Sequence, residues 1–267
     1  LWLKSTDYGD DKDRVVIRDN GVPTYLAADI AYHKNKYDRG FKSLINIWGA
    51  DHHGYVARVK AAIAALGYDP KQLEVLLLQM VSLFRDGKPV KMSKRTGQAI
   101  TLNELIEEVG TDAARYFFIM RSLDTQLDFD LDLAKSHSNE NPVYYIQYAH
   151  ARIYSIYRQA KEAGVHLDMD WSDVKWDTLK DEQELELIKK MAAFPEEIQR
   201  AARERAPHRI AHYVYELAGL FHTFYNHCRI IQKDKELEKA RLALVTAVRI
   251  TIANSLAILG VSAPEKM

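Results

Sequence analysis

Apolar and polar positions repeat in two different ways along this chain. In the first hundred residues, short apolar runs alternate with helical stretches. Arg14-Val15-Val16-Ile17-Arg18 has a strand pattern, and Asp19-Asn20-Gly21 turns it back. Residues 24–33 read as the start of a helix. Leu44-Ile45-Asn46-Ile47-Trp48 is a run of strand length that predicts a buried strand ending at Gly49. Residues 55–66 are Ala-rich and helical, with Gly67 as the stop. Residues 75–84 predict a single apolar strand, Asp86-Gly87 is a hairpin signal, and Pro89-Val90 begins the return. Alternating strands and helices predict a doubly wound α/β unit.

After residue 100 the period becomes helical. Thr101 and Glu104 form a capping box, and Gly110 closes that helix. A second helix is expected over 112–121. Long amphipathic helices are expected over 142–163, 182–204, 207–232 and 235–259, with 167–180 as a surface connection. That pattern predicts an all-α bundle. The expected fold class is therefore α/β plus all-α. The divisions fall at 1–100, a connecting helical region at 101–141, and a bundle at 142–267. The sequence shows no internal repeat and no low-complexity tract.

Composition narrows the partners only slightly. The 267 residues carry 37 Lys and Arg against 37 Asp and Glu, so net charge does not announce a nucleic acid. Any RNA contact must come from a local patch. A single cysteine, Cys228, excludes an internal disulfide framework and fits a reducing compartment. No apolar run reads as long enough to span a bilayer, and no signal peptide is evident. The chain begins at Leu1 rather than Met, which suggests the interior of a longer protein.

Two short segments carry candidate chemistry. Gly49-Ala50-Asp51-His52-His53-Gly54 follows a strand, where ligands of open α/β sheets sit. Gly49 would admit a sugar or base close to the backbone, Asp51 could take paired ribose hydroxyls, and His52 and His53 add hydrogen-bonding groups. A tight turn with a capping Asp is the alternative. A metal site is set aside, because no further ligand has suitable spacing. Lys91-Met92-Ser93-Lys94-Arg95-Thr96-Gly97 places three cations and two hydroxyls after a hairpin. Lysines on flexible stems suit a moving polyphosphate and can meet charge that builds during adenylyl transfer. A solvated basic turn is the bland alternative, disfavoured here by the strand, the hairpin and the upstream motif.

These residues carry a resemblance. Lys91-Met92-Ser93-Lys94 resembles the second signature of class I aminoacyl-tRNA synthetases, and Gly49-Ala50-Asp51-His52 resembles their adenosine-ribose motif. The wording of residues 5–14, 24–33, 48–55, 141–152 and 259–267 is similar to that of bacterial arginyl-tRNA synthetases. The resemblance implies that 1–100 is the second half of a Rossmann-type catalytic domain and that 142–267 is a helical anticodon-binding domain of the DALR type. It implies ATP with Mg2+, arginine and tRNA-Arg as substrates and partners, a cytoplasmic location, no membrane and a monomer. Lys91, Ser93 and Lys94 would be catalytic. Gly49, Asp51, His52 and Met92 would hold ATP and the adenylate. Tyr25 and Asp29 would bind arginine: four apart on a helix they share a face, and a carboxylate can take a guanidinium bidentately.

One departure stands out. The His-x-Gly-His signature of class I enzymes is absent from the sequence, and His52-His53-Gly54 has the wrong order to replace it. The expectation is that this motif lies upstream of Leu1 and that the chain alone is not catalytically competent. The rival reading is a non-catalytic tRNA-binding module.

In the helical half, aromatic and basic residues interleave from Tyr144 to Arg158 and again from His208 to Arg229. Bases stack on aromatic faces while cations hold phosphates, although a stripe at helical spacing is usually core. Tyr225, Asn226 and Arg229 are the candidates for tRNA contact. Arg200, Arg203, Arg205 and Arg209 form a second basic cluster that reads equally as a solvated face. Asp128, Asp130 and Asp132 resemble a calcium loop but lack its Gly and closing Glu. His208 and His212 share a helix face without a carboxylate or thiol partner, so no metal is assigned.

Overall fold

The computed structural model describes residues 1–90, 100–165 and 171–267. The chain divides into two compact units, Leu1–Met80 with Leu123–Gln126, and Val81–Ser122 with Leu127–Met267.

In the first unit, β1 (Trp2–Leu3) pairs antiparallel with β2 (Arg14–Val15). Helix α1 (Tyr25–Asp38) starts at Thr24, whose hydroxyl accepts the Ala27 N–H. Strand β3 (Leu44–Gly49), helix α2 (Tyr55–Ala65) and strand β4 (Leu73–Leu78) follow. β3 and β4 pair in parallel from Leu44↔Leu73 to Gly49↔Leu78, so α2 is the crossover of a βαβ unit. Gly67, at φ 88°, ends α2 in the left-handed region that glycine adopts without strain. Leu26, Tyr37, Leu44, Val59, Ile63 and Leu73 form the core. β3 is not the fully buried strand that its run of apolar residues predicts. Leu44 and Asn46 are buried, while Ile45 and Ile47 are 43% and 65% exposed. Side chains of a strand alternate, and only one face of β3 is covered by the described residues.

The second unit opens with the hairpin of β5 (Val81–Arg85) and β6 (Lys88–Pro89). Asp86 and Gly87 both take positive φ, as a tight two-residue turn demands. Helices α3 (Leu102–Val109) and α4 (Thr111–Ile119) precede β7 (Leu127–Asp130), which pairs in parallel with β5. A short α5 (Leu131–Lys135) leads to the bundle. The bundle comprises α6 (Pro142–Glu162), α7 (Glu182–Ala192), α8 (Phe194–Glu204), α9 (His208–His227) and α10 (Lys235–Leu259). Its centre is Ile146, Ile153, Leu217, Phe221, Val245 and Ile252, all with no exposed surface.

Several expectations change. The strand expected over 75–84 is two strands in different sheets and different units, broken at Gln79-Met80. The compact units part between Met80 and Val81, because β5 pairs with β6 and β7 and not with β4. The helix expected over 182–204 breaks at Ala193, where Pro195 fits the first turn of α8 but could not sit inside a continuous helix. The helix expected over 207–232 stops at His227, and Cys228 is extended. α10 is, by length and composition, long and apolar enough to cross a membrane, contrary to the sequence reading. Here it is a central helix of the bundle, packed on α6, α7 and α9.

Candidate functional site

The ribose-type motif lies where β3 ends. Residues Ala50–His52 form one 3-10 turn beyond the carboxyl end of the parallel pair. Gly49 has negative φ, so its conformation does not demand glycine. A Cβ there would meet only the Asp51 carboxylate, the end of an exposed side chain that can turn aside. Asp51 and His52 are both exposed, with His52 Nε2 3.6 Å from Asp51 Oδ2. The His52 ring lies 6.4 Å from Trp48 and 6.5 Å from Tyr55, and Trp48 and Tyr55 are 5.7 Å apart.

Tyr55 joins this turn to α1. Its hydroxyl donates to Asp29 Oδ2 at 2.6 Å. Burial, and then the Asp29 carboxylate, push the Tyr55 hydroxyl pKa well up, so the proton stays on the phenol. The backbone of Asp29 is braced separately. His33 Nδ1 lies 2.7 Å from the Asp29 carbonyl, which can only accept, and His33 Nε2 takes the Asn46 amide at 2.8 Å. Asn46 and His33 are buried, so this relay ties α1 to β3. Tyr25, one turn before Asp29, is 89% exposed. The structure thus links the predicted arginine and ribose residues through Tyr55. The sequence reading missed that residue, since no helical or strand spacing connects positions 29 and 55.

A cleft of about 750 Å3 opens beside the turn, lined by Asp10, Arg14, Asp51, His52, Tyr55 and Arg58 among others. Arg14 grips Asp10 with two hydrogen bonds of 2.8 and 2.9 Å and also pairs with Asp11. That guanidinium holds the Asp10 carboxyl well below the usual carboxylate range. The Arg58 guanidinium lies 5.1 Å from the centroid of the Tyr55 ring. Its Nε is buried without a partner among the described residues.

Lys91, Met92, Ser93 and Lys94 lie outside the described residues. The hairpin leads the chain to them: the Val90 N–H donates to the Leu83 carbonyl at 2.8 Å. On the far side, Thr101 caps α3 in the expected capping box with Glu104.

The second unit sorts its aromatic residues into core and surface. Tyr213, Phe221 and Phe224 are buried. Another set forms a stack across α6 and α9. His137 stacks on Tyr144 at 5.7 Å, Tyr144 on Tyr148 at 6.0 Å, and Tyr148 on His222 at 5.9 Å. Arg152 spreads over Tyr148 and Tyr225, 4.5 and 4.7 Å from their centroids. A cleft of about 520 Å3 there is lined by Tyr148, Arg152, Arg158, Tyr225, Lys266 and Met267 among others. Of the three candidates for tRNA contact, Tyr225 belongs to this group. Asn226 is exposed. Arg229 folds back, its Nε donating to the Ile231 carbonyl at 3.0 Å. Two of the four arginines of the Arg200 to Arg209 cluster are held by carboxylates: Arg200 pairs with Glu204 at 2.9 Å and Arg209 bidentately with Glu197. His212 Nε2 meets the Met120 carbonyl at 2.8 Å. Asp130 caps α5, accepting from the backbone of Asp132 and Leu133. Burial pushes the Cys228 thiol up to about 11, which leaves it a poor nucleophile. Among the described residues no group of three or more His, Cys, Asp or Glu is placed to hold a metal ion.

Residues 2–123 match the family model described as tRNA synthetases class I (R), catalytic domain, and residues 146–267 match that of the DALR anticodon binding domain. The two halves are those of a class I aminoacyl-tRNA synthetase: part of the catalytic domain with Rossmann-like sheets, then a helical anticodon-binding domain. The chain is 62% identical over its whole length to an arginine–tRNA ligase of Carboxydothermus hydrogenoformans, covering 48% of that relative. It is 60% identical to one of Desulforudis audaxviator, covering 47%. A solved arginyl-tRNA synthetase structure from Campylobacter jejuni superposes with a TM-score of 0.89 at 40% identity, over 100% of this chain and 57% of that one. That of Thermus thermophilus, at 24% identity and a TM-score of 0.81, shares the fold over 100% of this chain and 54% of its own. The chain belongs to the arginyl-tRNA synthetase family and spans about half the length of the curated relatives it matches.

Proposed function

We propose that the whole protein containing these residues is an arginine–tRNA ligase, which activates arginine with ATP and loads it onto tRNA-Arg. The supporting observation is the Asp29 carboxylate, hydrogen-bonded through Tyr55 to the segment that carries Asp51 and His52. An anion for a guanidinium and a carboxylate for ribose hydroxyls on one packed unit suit an enzyme that joins arginine to a nucleotide. In the first step an arginine carboxylate oxygen attacks the α-phosphorus, and the bond to the departing pyrophosphate breaks. Lys91 and Lys94, with Ser93, meet the charge on the phosphates, while Gly49, Asp51, His52 and Met92 hold the adenosine end. Mg2+ arrives with ATP as part of that substrate. In the second step a terminal ribose hydroxyl of the tRNA attacks the arginyl carbonyl and AMP leaves. Tyr25 and Asp29 select arginine. Such an enzyme would work as a cytoplasmic monomer, in a catalytic region expected over 1–100 and an anticodon-binding region over 142–267.

In the whole protein, Lys91→Ala and Lys94→Ala should each lower the rate of arginine-dependent ATP–pyrophosphate exchange at least about a hundredfold, as loss of groups that meet transition-state charge does. Arginine binding should stay within a few fold. An unchanged exchange rate defeats the assignment. A second reading applies to this chain by itself: a tRNA-binding module without chemistry. The stacked surface of His137, Tyr144, Tyr148, Arg152, His222 and Tyr225 belongs wholly to the second unit and supports it. tRNA-Arg binding without pyrophosphate exchange is the expected result for the chain alone, and exchange by it would overturn that reading.

A further inference from the structure

We infer that Tyr55 is a positioning residue for the arginine-reading carboxylate, fixing through its hydroxyl the orientation in which Asp29 meets the guanidinium. This rests on the reading of Asp29 given above. An aspartate near the start of a surface helix can rotate, and bidentate recognition of a guanidinium requires both oxygens in one plane with it. Tyr55 takes one lone pair of Oδ2 at 2.6 Å. Oδ1 receives no hydrogen bond among the described residues. One oxygen of the half-buried carboxylate is therefore anchored while the other is left for a cation to pair with.

The anchor is itself held. The Tyr55 ring packs 5.7 Å from Trp48, with the Arg58 guanidinium over it. Burial and the adjacent carboxylate keep its hydroxyl protonated, so it remains a donor across the physiological range. The backbone relay through His33 and Asn46 fixes where the Asp29 main chain sits but cannot set its χ1. Tyr55 supplies that missing constraint from α2. Because the ring also lies 6.5 Å from His52, one residue borders both proposed substrate regions. The hydroxyl acts on the arginine side alone, and this separates positioning from general structural support.

The test is Tyr55→Phe in the whole protein, which keeps the ring and removes only the hydroxyl. Expected is an about tenfold rise in arginine KM and in arginine Kd by calorimetry, equal to about 1.4 kcal/mol. The KM for ATP and kcat should stay within about twofold, as loss of binding without loss of transition-state contact requires, and the melting temperature should be unchanged. Asp29→Asn run in parallel should raise the arginine constants far more, and adding Tyr55→Phe to it should do nothing further. If Asp29→Asn weakens arginine binding and Tyr55→Phe does not, the positioning role falls and the reading of Asp29 stands. If Asp29→Asn leaves arginine binding unchanged, both fall. Parallel losses for ATP and arginine together with a lowered melting temperature would show support of the fold only, and would also overturn the inference.

Discussion

Replacing Arg241 with Met should be among the most damaging single changes in the bundle. Arg241 Nε donates to Glu184 Oε1 at 2.6 Å, and its Nη1 donates to the Arg229 carbonyl at 2.8 Å. The two side chains are 10% and 1% exposed. Glu184 also closes the capping box of α7 by accepting the Asp181 N–H at 2.9 Å. Methionine fills a similar volume but leaves a buried carboxylate without its cation and a carbonyl without its donor. Breaking a buried pair from one side costs about 3–5 kcal/mol. At a urea slope of about 2 kcal/mol per M, the midpoint should fall by about 1.5–2.5 M. The assay is urea unfolding of the chain followed by far-ultraviolet circular dichroism, which the helical bundle dominates. The control is Glu184→Gln with Arg241→Met, which removes both charges and keeps an acceptor for the α7 cap. It should recover all but about 1–2 kcal/mol, the worth of the lost bond to the Arg229 carbonyl and of imperfect packing. A loss under about 1 kcal/mol for Arg241→Met, or a double variant no more stable than the single, refutes the account of a desolvated charge.

Asn141→Ala should destabilise the same transition by about 2 kcal/mol, because Asn141 caps α6 and also donates to the Ala134 and Ser136 carbonyls. Acid should destabilise the bundle through two histidines. Burial lowers the pKa of both His150 and His222 from 6.5. The folded chain then binds fewer protons than the unfolded one below that value, and stability present above pH 6.5 is lost as the pH falls through the folded pKa values. His150 faces the Pro264 carbonyl, Tyr154, Arg249 and Glu265, and His222 faces Arg152; His150→Asn should flatten the urea midpoint against pH, and an unaltered profile would contradict the burial argument. Arg152→Ala should weaken binding of tRNA-Arg to this chain about tenfold, the worth of a cation stacked on two rings near a base or phosphate, whereas Arg200→Ala should leave it unchanged in a filter-binding titration.

What could be read from the sequence was local. Asp86-Gly87, the Thr101–Glu104 box and the stops at Gly67 and Gly110 are each set by backbone conformation within a few residues, and each appears where it was expected. Pairing between distant strands is not local. Nothing between Val75 and Phe84 marks a turn, yet β4 pairs with β3 and β5 with β7, so the break at Gln79-Met80 is decided by partners. β7 was hidden for a related reason. Leu127-Asp128-Phe129-Asp130 alternates as a half-buried strand does, but its aspartates also have the spacing of a calcium loop. For the proposed site, the sequence offers motifs but no wiring between them. Gly49, Asp51 and Asp29 stand out by their family wording, while the hydrogen bond from Tyr55 to Asp29 spans 26 residues.

With zero net charge, RNA binding by this chain would have to draw on local groups. If cations dominated, the Arg200 to Arg209 stretch would be the natural phosphate tract, but Arg200 and Arg209 are held by Glu204 and Glu197. The stacked surface instead brings Arg152, Arg158 and Lys266 to one cleft among tyrosines. Binding there should draw on base stacking, which does not release counterions. With about three phosphates neutralised at about 0.7 counterion each for an unpaired strand, log K should fall against log salt with a slope near −2. The measurement is tRNA-Arg binding to this chain at several salt concentrations, repeated with Arg152→Ala, which should make the slope shallower by about 0.7. Tyr148→Ala and Tyr225→Ala should reduce affinity without changing the slope. A slope steeper than about −5 would require more phosphate contacts than this cleft can supply and would move the RNA to another surface.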